Sequence, residues 1–119
     1  MIFGAFEKND QDDYPDHIIP LAKVVAEKQV EKGIAICGSG VGAAIVSNKI
    51  AGVRASLITE HFSAHQGVED DDMNLICLGG RITGTSSAKE LVQAFLTSDF
   101  SGGEKYLRRL NKIIALEKQ

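Results

Sequence analysis

Positive charge is scarce in this sequence. Thirteen lysines and arginines stand against 16 acidic residues, which gives a net charge of −3 and a pI near 5.5. This balance argues against nucleic acid or an anionic membrane surface as an electrostatic partner. No apolar run approaches the roughly 20 residues that a membrane-spanning helix needs. The opening stretch MIFGAF lacks a basic flank and is too short for a secretory signal.

Cysteine is equally scarce. Cys37 and Cys77 are too few for the disulfide scaffold of a small secreted domain and are typical of a reduced protein. A chain of 119 residues, 44% of them hydrophobic, is long enough to bury one core, and no internal repeat or linker divides it. We therefore expect a single domain over residues 1–119, in a cytoplasmic protein that binds neither nucleic acid nor membranes.

Apolar strands alternate with helix-like segments along the chain. Apolar runs predict strands at 34–37, 53–59 and 74–80, and MIFGAF predicts a further short one. Helical spacing of apolar residues or capping residues predict helices over 14–32, 41–50, 60–72, 85–100 and 102–118. Uniformly apolar strands between helices indicate a parallel sheet that is covered on both faces. The predicted fold is therefore α/β, a three-layer parallel sheet flanked by helices.

The most informative stretch is GIAICGSGVGAAIVSNKI, residues 33–50. A predicted strand ends at Cys37, and a turn containing Gly38, Gly40 and Gly42 leads into the next helix. In open parallel sheets, ligands bind at the carboxyl ends of the strands. Backbone N–H groups of such a turn attract an anionic group and favour the thiolate form of a nearby cysteine. The stretch predicts either a base beside an anion-binding loop or a tight turn with a buried cysteine.

Dinucleotide binding is a competing interpretation of the same stretch. GSGVGA satisfies the pattern G-x-G-x-x-A after a strand, and Glu60 follows about 20 residues later, where a ribose-binding acid belongs. A single glycine string is a weak signal, and the chain is short for a dinucleotide domain plus a substrate domain. The lysine and hydroxyl pair of a phosphate-binding NTPase loop is missing, which excludes that class.

Three further features carry weaker signals. His61, His65 and Glu69 share one helical face at metal-ligand spacing, but such triplets mostly face solvent, so we predict no metal site. His17 follows the DYPD loop, where it could approach a ligand, but a lone histidine there is more typical of a helix N-terminus. Cys77 ends an apolar strand, which is typical of core packing.

Segments throughout the chain resemble the type B ribose-5-phosphate isomerase and galactose-6-phosphate isomerase family. These are DYPD (13–16), GIAICGSGVGAAIVSNKIAGVRASL (33–57), SAH (63–65), MNLICLGGRITG (73–84) and FSGGEKYLRRLNKI (100–113). The cysteine–glycine turn followed by SNKIAGVRA is the most specific part. The resemblance implies a Rossmann-like enzyme that interconverts aldose and ketose phosphates through an enediolate, without a cofactor.

The resemblance also implies roles for the residues of the glycine turn. Cys37 is the expected base that carries a proton between two carbons. Ser39, where relatives commonly have threonine, is expected to hydrogen-bond the enediolate oxygens. The amides of Gly38, Gly40 and Gly42 are expected to bind the oxyanion.

Substrate-binding residues are implied in three other segments. Asp13 and Tyr14 match the family's loop near the sugar, and Arg81 matches the arginine of its GGR turn. Arg108 falls where the family has a phosphate-binding arginine on the last helix. The family works as homodimers with the active site where two subunits meet, so we expect a homodimer or a homotetramer.

The chain departs from the family pattern at two places, in VEDDDMN (68–74) and at the start of the last predicted helix. Asp70 stands at the position of the ring-opening histidine, where it either takes over that acid–base role or belongs to a solvated helix end. Asp71 stands at the position of an asparagine near the substrate. Glu104 replaces a second phosphate-binding arginine, with Lys105 beside it as the nearest positive charge.

A third departure lies at the start, because the family's first strand and helix have no counterpart in the chain. The loop after that strand carries an Asp-His pair of the active site. In an N-terminally shortened sheet of this kind we expect an exposed apolar edge, covered by a partner or a shifted strand, unless the chain is a piece of a longer product.

Two functions therefore stay open. The first is an active isomerase with altered specificity. The second is a catalytically inactive relative that binds a phosphorylated metabolite or serves as a structural or regulatory subunit.

Overall fold

The computed structural model describes residues 1, 3–4 and 11–118 of the chain. Strands and helices alternate in the predicted order. They are α1 (Pro15–Ala26), β1 (Gly33–Cys37), α2 (Val41–Ser47), β2 (Ala55–Leu57), α3 (His61–Asp71), β3 (Leu75–Gly79), α4 (Thr85–Leu96) and α5 (Glu104–Leu116). Half of the strand predicted at MIFGAF, residues 2, 5 and 6, falls outside the described residues. Among the helices in the described part of the chain, none is long and apolar enough to cross a membrane.

The three strands form one parallel sheet in the order β1–β3–β2. Leu75 of β3 is aligned with Gly33 of β1 on one side and with Ala55 of β2 on the other. All five residues of β3 are buried, which explains its uniformly apolar sequence LICLG. The central strand is thus the last of the three in the chain.

Helices cover both faces of this sheet. Alternate residues of β3 point to opposite sides and contribute to a separate core on each face. One face is covered by α1 and α2, around a core of Ile18, Ala22, Val25, Ala35, Ala43, Val53, Leu75 and Cys77. The other is covered by α3 and α4, around Ile58, Ala64, Val68, Met73, Ile76, Leu78, Leu91 and Phe95. The predicted three-layer arrangement is confirmed.

The helix predicted over residues 41–50 ends earlier, at Ser47. Asn48 explains the early end, because its side-chain amide pairs with the backbone of β2 as a neighbouring strand would. Its Nδ2 donates to the carbonyl oxygen of Ala55 and its Oδ1 accepts from the Ala55 N–H, both at 2.9 Å. A side-chain amide that satisfies the strand backbone in this way favours a turn over a further helical turn.

The last helix, α5, is attached at the amino-terminal edge of the sheet. The Ser101 N–H, just before α5, donates to the carbonyl oxygen of Glu69 in α3 (2.9 Å). At the other end of α5, Glu117 Oε1 accepts from the Gly52 N–H (3.0 Å). These contacts place α5 away from the carboxyl ends of the strands, where ligands of open parallel sheets bind.

Candidate active site

The turn between β1 and α2 is packed tightly against the other two strands. Gly40 has a φ of +82°, in the left-handed region that side chains disfavour. A Cβ at Gly40 would lie 2.6 Å from Cδ1 of Leu57 and 3.0 Å from the carbonyl carbon of Leu78. Both the backbone conformation and the lack of space require glycine here.

The thiol of Cys37 lies within this turn. The Gly40 N–H donates a hydrogen bond to Cys37 Sγ, with 3.2 Å between nitrogen and sulfur. A backbone N–H aimed at sulfur stabilises negative charge there. The Cys37 side chain is partly exposed. It is therefore accessible to a ligand, and the alternative of a merely buried cysteine does not describe it.

Cys77 differs from Cys37 in its exposure and in its surroundings. It is 0% exposed in the centre of β3, as predicted for a core residue. Burial, with a smaller contribution from Cys37, raises the pKa of the Cys77 thiol to about 12. At neutral pH that thiol is protonated and shielded from reagents.

Ser39 lies at the exposed tip of the turn. Its Oγ accepts a hydrogen bond from the Val41 N–H (3.3 Å), which orients the hydroxyl at the start of α2. The tip is held from below by β3, since a Cβ at Gly79 would lie 2.6 Å from the Ser39 carbonyl oxygen. The hydroxyl and the thiol of Cys37 therefore belong to one rigid loop.

Tyr14, at the start of α1, lies over the first turn of α2. A Cβ at Gly42 would be 2.6 Å from Cζ of the tyrosine ring and 2.7 Å from its hydroxyl oxygen. The ring nevertheless stays 49% exposed, so one side of it faces solvent beside the turn. Asp13 is exposed next to it, and its carbonyl oxygen accepts the Asp16 N–H (3.1 Å) that opens α1.

Arg81, just after β3, lies beside the same turn. Its N–H donates to the Gly38 carbonyl oxygen (3.0 Å), and the Gly80 N–H donates to the Cys37 carbonyl oxygen (2.7 Å). The Arg81 side chain follows the turn, because its Cδ and Nε would both lie 3.8 Å from a Cβ at Gly38. These contacts bring an exposed positive charge to the glycine turn.

A cleft of about 370 Å³ beside the turn is lined by Cys37, Tyr14 and His17, among others. His17 Nε2 is buried without a hydrogen-bond partner and lies 3.7 Å from the Asp12 carboxylate, too far for a hydrogen bond. The sequence alone favours a helix-terminal role for His17. Its spacing of three from Tyr14 was the signal that both share one face of α1.

Asp70, Asp71 and Arg108 lie far from Cys37 within one chain. The two aspartates end α3, close to the start of β3, whereas Cys37 is at the carboxyl end of β1. The Asp70 carboxylate accepts a hydrogen bond from Gln66 Nε2 (2.7 Å). Arg108 is exposed on α5. A single chain therefore provides the thiol, the turn and Arg81 at one edge of the sheet and these three residues at the other.

The acid that dinucleotide binding requires has another task. Glu60 caps α3 by accepting a hydrogen bond from the Ser63 N–H (2.9 Å), and bonding to Ser63 lowers the pKa of its carboxyl group. His65 Nδ1 lies 2.9 Å from Glu69 Oε1. Within the described ranges, no group of three or more His, Cys, Asp or Glu side chains could hold a metal ion.

Comparison of sequences gives relatives over almost the whole chain. The family model described as ribose/galactose isomerase matches residues 1–113. Ribose-5-phosphate isomerase B of Escherichia coli is 37% identical over 111 residues, which are 93% of this chain and 74% of the relative. D-erythrulose-4-phosphate isomerase of Pectobacterium atrosepticum is 37% identical over 90 residues, which are 76% of this chain and 59% of the relative.

Solved structures agree with this match. Type B ribose 5-phosphate isomerase of Trypanosoma brucei superposes with a TM-score of 0.91 at 36% identity, over 98% of this chain and 78% of that one. Ribose-5-phosphate isomerase B of Mycoplasma genitalium was solved with bound ribulose-5-phosphate. It superposes with a TM-score of 0.89 at 36% identity, over 98% of this chain and 76% of that one. The Rossmann-like fold is thereby confirmed, and the chain belongs to the ribose/galactose isomerase family.

Proposed function

We propose that this protein is an aldose–ketose isomerase that acts on a phosphorylated sugar. The observation that carries the proposal is the partly exposed Cys37 thiol, hydrogen-bonded to the Gly40 N–H in a glycine turn at the carboxyl edge of the sheet. The two relatives named above are isomerases of different sugar phosphates, ribose-5-phosphate and D-erythrulose-4-phosphate. They support the reaction class without selecting one sugar.

Cys37 acts as the base in this proposal. In the aldose-to-ketose direction the thiolate takes the proton from C2, and the electron pair moves through the C1–C2 bond onto the carbonyl oxygen O1. The product is an enediolate. The thiol then returns the proton to C1 while the proton on O2 moves to O1, so that the carbonyl group ends at C2. The reaction gains no net proton or electron. One base for the carbon-bound proton and one hydroxyl group that passes the proton from O2 to O1 are therefore sufficient.

The turn stabilises the charge that develops in this step. The Gly40 N–H already donates to the Cys37 sulfur, so we assign it to the thiolate. The amides of Gly38 and Gly42 are then assigned to the enediolate oxygens, and the Ser39 hydroxyl to proton transfer between O1 and O2. Preorganised backbone donors are effective for this purpose, since they need no reorientation as the charge forms.

Arg81 and Tyr14 bind the substrate next to the turn, with Asp13 at the rim. Arg81 is held beside Gly38 by its own backbone hydrogen bond and carries a fixed positive charge suited to a phosphate or an oxyanion. The ring and the hydroxyl of Tyr14 both lie against Gly42, and the residue stays partly exposed. A sugar bound at the turn would therefore be within reach of both side chains.

A second subunit completes the site. Asp70, Asp71 and Arg108 lie at the amino-terminal edge of the sheet, away from the Cys37 of their own chain. We infer that they serve the Cys37 of a partner in a homodimer or homotetramer, with Asp70 opening the sugar ring and Arg108 binding phosphate. The exposed apolar side chains of Leu107 and Leu116 on α5 support a contact between subunits on this side.

A catalytically inactive binding or regulatory subunit is the competing function. The observation in its favour is that Asp70, the replacement for the ring-opening histidine, is hydrogen-bonded to Gln66 in its own helix. A carboxylate that is already hydrogen-bonded within its own helix is less free to reach a sugar. Proton exchange separates the two functions, because an inactive subunit binds a sugar phosphate without exchanging its carbon-bound protons.

The test is deuterium incorporation in heavy water. The purified protein is incubated with a panel of aldose and ketose phosphates of four to six carbons, and NMR follows deuterium at C1 and C2. Wild type and Cys77→Ala should exchange on at least one sugar, and Cys37→Ala should lose the exchange. Cys77→Ala is the matched control, because it removes a thiol that is 0% exposed. Binding without exchange in folded wild-type protein would establish the inactive subunit.

A further inference from the structure

The segment SNKIAGVRA, residues 47–55, has no task in the chemistry described above. Asn48 follows α2 at one end of this segment, and Ala55 opens β2 at the other. The Asn48 side chain joins the two ends, because it donates to the Ala55 carbonyl oxygen and accepts from the Ala55 N–H, both at 2.9 Å. One side-chain amide therefore closes the connection between α2 and β2.

The short strand β2 has a neighbouring strand on one side, where it pairs with β3. The Leu75 N–H donates to the Arg54 carbonyl oxygen (3.3 Å), and the Ile58 N–H donates to the Cys77 carbonyl oxygen (3.0 Å). In a parallel ladder alternate residues face the same neighbour, so the N–H and C=O groups of Ala55 point away from β3. In the described part of the chain no other strand pairs with them. The Asn48 amide thus holds the second side of β2.

β2 in turn contacts the glycine turn through Leu57. A Cβ at Gly40 would lie 2.6 Å from Cδ1 of Leu57, so the leucine side chain packs directly on the Gly40 backbone. The Gly40 N–H is the group that donates to Cys37 Sγ (3.2 Å). A displacement of β2 would therefore reach the thiol through two contacts.

The helix α2 connects the same two points by another route. It begins directly after Gly40 and ends directly before Asn48. Its seven residues span about 10 Å at a rise of 1.5 Å per residue, so a shift at its end is passed on to the turn at its start. α2 and β2 are thus two sides of one frame, closed by Asn48 at one end and by the contact of Leu57 with Gly40 at the other.

We propose that Asn48 is a positioning residue of the active site, which clamps α2 to β2 and thereby fixes the glycine turn in the geometry that Cys37 needs. Asn48 does not touch the sugar in this role. It acts on the thiol through Leu57 and Gly40 on one side and through α2 on the other. The effect on turnover rests on the proposed function, whereas the effect on the thiol is measurable without a sugar.

The first experiment measures steady-state kinetics of Asn48→Ala on the sugar identified by deuterium exchange. The variant loses both hydrogen bonds to Ala55 without backbone strain, since φ at position 48 is −74°. The kcat should fall about tenfold and KM should change less than about twofold, because the turn carries out the chemistry while Arg81 and Tyr14 still bind the substrate. A raised KM with an unchanged kcat would overturn the proposal.

Two further variants make this comparison specific. Lys49→Ala is the matched control, since Lys49 is the next residue and is also exposed, and it should keep the wild-type kcat. Asn48→Asp keeps an acceptor for the Ala55 N–H but loses the donor for its carbonyl oxygen, so its kcat should lie between those of Asn48→Ala and the wild type. Circular dichroism checks the fold, and Asn48→Asp takes the place of Asn48→Ala if the latter fails to fold. Equal kcat values for the Asn48 and Lys49 variants would contradict the proposal.

The second experiment follows the alkylation of Cys37 by iodoacetamide at pH 7. Asn48→Ala should slow it several-fold, because a displaced Gly40 N–H no longer favours the thiolate, and Lys49→Ala should react at the wild-type rate. Cys77 does not interfere, since it is 0% exposed. If the wild type exchanges no sugar protons, the proposed function is wrong, and the alkylation rates alone decide whether Asn48 positions the turn. If the wild type is active, kcat decides.

The third experiment tests the route through Leu57. If Asn48 acts by way of Leu57, the double variant Asn48→Ala, Leu57→Ala should lose little more kcat than the more impaired single variant. Additive losses would show that Asn48 and Leu57 act independently, and the route through β2 would be wrong.

Discussion

The ring of Tyr14 occupies the space that a side chain at position 42 would need, with its Cζ 2.6 Å from the position of a Cβ there. This contact joins the loop before α1 to the first turn of α2. Gly42 is therefore required because of Tyr14, since it lies inside a helix where glycine has no local advantage.

Gly42→Ala is predicted to displace the Tyr14 ring while leaving the fold intact. Alanine is a better helix former than glycine by about 1 kcal/mol, which offsets part of the strain, so unfolding free energy should change little. Isomerase activity should fall about tenfold or more, because a displacement of about 1 Å at a binding side chain is costly. Steady-state kinetics on the sugar identified by deuterium exchange measures the activity, and urea denaturation measures the unfolding free energy.

The double variant tests whether the ring is the cause. Once Tyr14→Ala has removed the ring, adding Gly42→Ala should cost no further activity, so the two changes should be strongly non-additive. Additive losses would show that alanine at position 42 harms the turn by another route.

Gly40→Ala is predicted to destabilise the protein by about 2–4 kcal/mol. The loss combines a positive φ of 82° with a Cβ placed 2.6 Å from Leu57 Cδ1, and backbone of β3 limits any adjustment. Gly84→Ala is the control, since nothing lies within 4 Å of a Cβ there and its φ is −66°. Urea denaturation of both variants should show the loss in Gly40→Ala and almost none in Gly84→Ala.

The two thiols are predicted to differ in reactivity and in their effect on alkaline stability. A disulfide reagent at pH 8 should titrate one thiol per native chain, Cys37, and two after unfolding. The pKa of Cys77 is raised to about 12 from an ordinary value of 9.0. Above pH 9.0 the unfolded chain loses the Cys77 proton while the folded chain keeps it, so stability should fall as pH rises towards 12.

Cys77→Ala checks the origin of that alkaline loss. The variant should be less stable at pH 7, because a buried side chain is shortened, but its stability should decline less between pH 9 and pH 11 than that of the wild type. An unchanged slope of unfolding free energy against pH would assign the alkaline loss to other groups.

Mixing of inactive subunits tests the shared site. Cys37→Ala and Arg108→Ala homo-oligomers should each be inactive or nearly so. If a dimer combines Cys37 of one chain with Arg108 of the other, subunits that are unfolded and refolded together should regain about a quarter of wild-type activity, because half the dimers are mixed and each has one intact site. Cys37→Ala refolded together with wild-type protein is the control that subunits mix. No recovery despite demonstrated mixing would place Arg108 outside the partner's site.

Local sequence patterns determined the elements of this protein. The apolar run of β3 predicts a strand that is buried on both faces, and β3 is buried along its whole length. The glycines after Cys37 predict a turn at the carboxyl end of a strand, and the chain turns there. Such features depend on residues close in the chain, whose conformational preferences act over a few residues.

Contacts between distant segments were decided only by the tertiary structure. The sequence does not reveal that the last strand lies between the first two, since the order depends on pairing across many residues. The same holds for Tyr14 over Gly42 and for His17 in the cleft of Cys37. Asp70 and Arg108 carry the side chains that the chemistry suggests, but α3 and α5 place them at the opposite edge of the sheet from Cys37. Residue type is a local property, whereas distance to the thiol follows from how the helices and the sheet pack.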